Sequence, residues 1–66
     1  MEQLIACFPT KKGSVNVYKL EELGRTQYAI RGPLETTAEL ITTGYDEEIV
    51  IGFAKSRASA NIISGD

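Results

Sequence analysis

Glycines at positions 13, 24, 32, 44 and 52 divide the chain into intervals of 8 to 12 residues. Intervals that short suit strands and tight turns, so the spacing predicts short elements in close succession. No repeat, linker or low-complexity tract interrupts the rhythm, and residues 1–66 are read as one small domain near the lower size limit for folding alone.

The first half reads as an antiparallel meander. Residues 2–8 carry apolar side chains on both faces and form a strand that Pro9 stops. Thr10-Lys11-Lys12-Gly13 is a polar hairpin loop. Residues 14–20 alternate cleanly, with Val15 and Val17 on one face and Asn16, Tyr18 and Leu20 on the other. Glu21 to Arg25 form a turn, and Thr26 to Arg31 make a third strand closed by Gly32-Pro33.

Two signals conflict in the second half. Over 34–43, Leu34, Ala38 and Ile41 have helical spacing behind Pro33, and the segment is expected to be a helix. Its four threonines argue instead for a strand. Residues 48–54 are β-branched and are expected to form a fourth, buried strand. A short helix follows, capped by Ser56 and stopped by Gly65. A competing reading joins 46–63 into one helix with Asp46 as its cap, against which Ile49-Val50-Ile51 and Gly52 both weigh. The expected fold is therefore α+β: a three-stranded N-terminal meander, a fourth strand, a middle helix and a short C-terminal helix. Leu34, Ala38 and Ile41 would cover Leu4, Val15, Val17 and Ile30. The runner-up is a five-stranded barrel-like β fold with a terminal helix.

Composition narrows the chemistry. The chain has no His, no Trp and a single Cys, so a Cys/His zinc site, a His-dependent triad or dyad and an internal disulfide lack their parts. Cys7 lies in an apolar strand and reads as a core side chain. No serine has a base nearby in the sequence, and Lys11-Lys12 sits in a wet loop where nothing would lower an amine pKa. Adjacent acids in a strand point to opposite faces, so Glu21-Glu22 is no catalytic dyad. Glu35 and Glu39 would share a helix face but offer too few oxygens for a cation. The expectation is a non-catalytic binding protein, with no cofactor and no metal.

Charge suggests where it binds. The net charge of −2 hides an asymmetry: residues 1–33 carry five bases and three acids, and 34–66 carry two bases and six acids. An acidic face made of Glu35, Glu39, Asp46, Glu47 and Glu48 is the expected surface for a protein partner, as in an adaptor or inhibitor. The alternative is a small nucleic-acid binder using Lys19, Arg25 and Arg31 with Tyr18 and Tyr28, against the overall acidity. Homo-oligomerisation is a further expectation, because a chain this small has neither disulfide nor metal to reinforce its core. No apolar run approaches a membrane span, Met1-Glu2-Gln3 lacks a signal-peptide n-region, and a lone Cys fits a reducing interior, so the cytoplasm is the expected location.

Overall fold

Val15 and Val17 point to one side of their strand, and the molecule is built around covering them. The computed structural model describes residues 1–64, and side chains as far as residue 60. Four strands, β1 (Glu2–Thr10), β2 (Gly13–Glu22), β3 (Arg25–Arg31) and β4 (Leu40–Thr43), are followed by one helix, α1 (Glu47–Ser64). The strands form a single open antiparallel sheet in the order β1-β2-β3-β4.

The meander follows from alternation and turn chemistry. Two-residue turns close both hairpins, Lys11-Lys12 between Thr10 and Gly13 and Leu23-Gly24 between Glu22 and Arg25. The Thr10 hydroxyl braces the first, donating to the Gly13 carbonyl at 2.7 Å and accepting from the Lys12 amide at 3.1 Å. Pro9 does not stop β1 as expected, because β1 is an edge strand and a missing donor is tolerated there. A register shift between Leu4 and Ala6 brings both Ile5 and Ala6 against the core.

The second half departs from expectation in three places. Residues 34–43 are not a helix: a turn, in which the Thr37 amide donates to the Leu34 carbonyl at 3.1 Å, leads into β4. Ile41 pairs with Ala29 and Leu40 with Ile30, so β3 offers this threonine-rich segment a ladder of backbone hydrogen bonds that a short isolated helix could not match. Residues 48–54 are not a strand, and the C-terminal helix is neither short nor begun at Ser56. One 18-residue helix spans both segments, as in the competing reading, with the Asp46 carbonyl accepting from the Ile49 and Val50 amides at 3.1 Å each. The expected stop at Gly65 lies outside the described residues. The four-stranded open sheet also excludes the five-stranded barrel.

The covering helix is thus α1, not residues 34–41. Val50, Ala54 and Ala58, at i, i+4 and i+8, pack on Val15, Val17 and Ile30, with Ile5, Ala6, Phe8 and Tyr28 around them. Leu4, Leu34 and Ile41 are exposed. The helix sits chiefly over β1 and β2 and less over β3. Arg57 secures its flank, donating from Nη1 to the Ile30 and Gly32 carbonyls of the β3 end at 3.4 and 3.2 Å. No helix among the described residues is long and apolar enough to cross a membrane.

Candidate docking groove on the helix-free sheet face

Alternation that turns Val15 and Val17 toward α1 turns Asn16, Tyr18 and Leu20 away from it. The register extends this second face sideways. Glu2, Leu20 and Gln27 form one row, Leu4, Tyr18, Ala29 and Ile41 a second, and Cys7, Asn16 and Arg31 a third. No element of the described chain lies over this face.

Its upper half is strapped by charge. The Arg31 guanidinium lies over the Tyr18 ring, 4.6 Å from the centroid. It donates from Nη2 to the Glu2 carboxylate at 2.7 Å and from Nε to Glu39. The hydrogen bond to Glu2, then that to Glu39, hold the Arg31 pKa above its usual value. The Asn16 amide donates to the Tyr18 hydroxyl at 3.5 Å, and Asn16 Oδ1 is buried with no hydrogen-bond partner among the described residues. Gln27 donates to the Thr43 hydroxyl at 3.1 Å.

The lower end, beside the β2–β3 hairpin, is open. A groove of about 710 Å³ is lined by Met1, Glu2, Leu20, Glu22, Leu23, Arg25 and Gln27, and a smaller recess of about 370 Å³ wraps the same turn. Leu23 is 100% exposed and Met1 86%, so two large apolar side chains stand free at the lip. Leu23 also holds an unfavourable backbone conformation: its φ is +51° and that of Gly24 is +77°. Positive φ at both central residues is what a type I′ turn demands, and Asn-Gly or Asp-Gly supply it at least cost. A leucine here spends stability and exposes apolar surface together, the combination expected where a side chain serves binding.

The residues singled out from the sequence are dispersed. Of the acidic set, Glu39 joins the strap, Glu35 lies in the loop before β4, Asp46 precedes α1, and Glu47 and Glu48 occupy its first turn. They do not form one face. Of the basic set, Arg31 and Tyr18 meet on the helix-free face and Arg25 lines the groove, whereas Lys19 and its cross-strand neighbour Tyr28 project to the helix side. Lys19 pairs with Glu21 at 3.1 Å, and that hydrogen bond, with the Glu21 charge, raises its pKa. Cys7 is exposed, not a core side chain. Sequence reasoning passed over Met1, Leu20, Leu23 and Gln27. The available signal was Leu23-Gly24 itself, a leucine in the place where a two-residue hairpin prefers Asn or Asp.

The groove offers one guanidinium, two carboxylates, an amide and apolar walls, with no nucleophile–base pair. No group of three or more His, Cys, Asp or Glu among the described residues is placed to hold a metal ion. Comparison with known proteins finds no matching family model, no matching curated protein and no matching solved structure.

Proposed function

We propose that this protein is a non-catalytic protein-binding module that docks a partner on its helix-free sheet face, centred on the hairpin groove. The observation that carries the reading is Leu23, fully exposed in a left-handed conformation that costs stability. With Met1 and Leu20 it supplies an apolar anchor site, and Glu2, Glu22 and Arg25 form a mixed-charge rim. The cytoplasm remains the proposed location, from the lone cysteine.

Leu23→Asn tests the reading, because it removes the anchor while giving the turn its preferred residue. Affinity capture from the source lysate, with and without nuclease, compares the wild-type chain with this variant and with Leu20→Ser. Nuclease-resistant protein partners held by the wild type and lost by both variants are the expected result. Partners retained by Leu23→Asn, or lost on nuclease treatment, contradict it; the second outcome returns the nucleic-acid alternative.

A further inference from the structure

Most polar groups lining the hairpin groove are already engaged. The Glu2 carboxylate accepts from Arg31 at 2.7 Å, and Gln27 donates to the Thr43 hydroxyl at 3.1 Å. The Met1 amine donates to the Glu21 carbonyl at 2.8 Å. Glu22 and Arg25 differ. They are register partners at the base of the Leu23-Gly24 turn, and alternation from Leu20 and Gln27 puts both on the helix-free face. No ion pair or side-chain hydrogen bond joins the side chain of either to a described residue. An exposed cross-strand pair contributes only about 0.2–1 kcal/mol, so little holds the two charges to each other. The register also sets them on opposite flanks. On the β2 side of the hairpin, Glu22 neighbours the start of β1, where Met1 opposes Glu21. On the β3 side, Arg25 neighbours the end of β4, where Thr43 pairs with Gln27. Leu20 and Leu23 supply the apolar surface beside both charges.

We infer that the occupant of this groove is a short peptide segment with an apolar side chain between a base and an acid, laid across the strands with its base toward β1 and its acid toward β4. The inference rests on the groove being the docking site proposed above and adds the chemistry of what docks there. Charge complementarity carries it. A carboxylate and a guanidinium with no internal partner take one charge of each sign, and the guanidinium suits a carboxylate through its parallel N–H donors. With Glu2 held by Arg31, Glu22 is the groove carboxylate left for the incoming base. A segment of one sign matches only half of the site: a basic one meets Arg25, and an acidic one meets Glu22. A phosphate backbone has the same defect, since Arg25 attracts it and Glu2 and Glu22 repel it. The apolar side chain fills the space walled by Met1, Leu20 and Leu23. A groove of about 710 Å³ has the size of a small-ligand site, which suits a few residues of a partner.

The experiment pans a random peptide library against the immobilised full chain and reads the enriched sequences. From the wild type, the expected consensus is an apolar residue with Lys or Arg on one side and Asp or Glu on the other. Glu22→Lys should replace the base of that consensus by an acid, and Arg25→Glu should replace its acid by a base. A peptide selected on the wild type should bind either variant at least about tenfold more weakly in fluorescence anisotropy, and its affinity for the wild type should fall as salt is raised. The exchange variant, Glu22→Arg with Arg25→Glu, keeps opposite charges across the hairpin and should select the reverse order of base and acid along the peptide. Circular dichroism of all the variants should match the wild type. A library that yields no enriched peptide overturns the inference, and so does a consensus that the charge variants leave unchanged. If those unchanged peptides are lost by Leu23→Asn, the groove stands as the docking site and only the charge pattern falls, so the two readings fail separately.

Discussion

Single side chains set the local limits of this molecule. Leu23 takes on a left-handed conformation that costs an L-residue roughly 1–2 kcal/mol. Leu23→Asn should therefore raise stability by about 1 kcal/mol, which in a domain of this size raises Tm by roughly 4–8 °C. Calorimetry of the two proteins checks it, and a gain in stability beside a loss of partner marks a residue kept for binding. Gly32 is constrained for the opposite reason. Its φ is +98°, and a Cβ there would stand 2.1 Å from the Ser14 carbonyl oxygen. Gly32→Ala has to push the chain off the start of β2 and should cost about 2–4 kcal/mol in urea unfolding. Lys19 bears on alkaline stability. Its pKa is raised above 10.5 by Glu21, so its pairing contributes fully below pH 10.5 and is lost as pH rises through the higher folded value. Unfolding titrations of the wild type and Lys19→Met should differ at neutral pH and converge above that range.

At the scale of elements, packing overrode local preference twice. Ile49-Val50-Ile51 is a strand-like triplet, yet β-branched residues cost a helix only about 0.5 kcal/mol each. Burial of one valine returns roughly 1.5–3 kcal/mol. Val50 lies on the same face as Ala54 and Ala58 and is fully buried against the sheet, so the helix wins. Val50→Ala should then destabilise by about 1.5–3 kcal/mol, from lost transfer energy plus the cavity left behind; chemical denaturation at constant m-value checks it. Residues 40–43 went the other way. Helical spacing of Leu34, Ala38 and Ile41 was present, but β3 had a free edge, and Thr42 completes the match by donating from its buried hydroxyl to the Tyr28 carbonyl at 3.4 Å. The meander was legible because alternation in 14–20 and the turn residues agree with the final pairing.

For the molecule as a whole, one helix covers one side of a four-stranded sheet. Among the described residues nothing covers the helix-free sheet face, where a partner is proposed to dock. The acidic residues that looked like one face in the sequence lie in the loop before β4 and at the start of α1. Clustering along the chain brings groups together in space only when one element carries them all.

Alternation, glycine spacing and the missing residue types determined the meander, the α+β class and the lack of a histidine-based site, because each depends on local geometry or on simple presence. Tertiary structure alone decided which of two ambiguous segments became strand and which became helix. It also decided which sheet face stayed open. Those outcomes depend on a free edge on β3 and an apolar surface over β1 and β2, which exist only after the first three strands have paired.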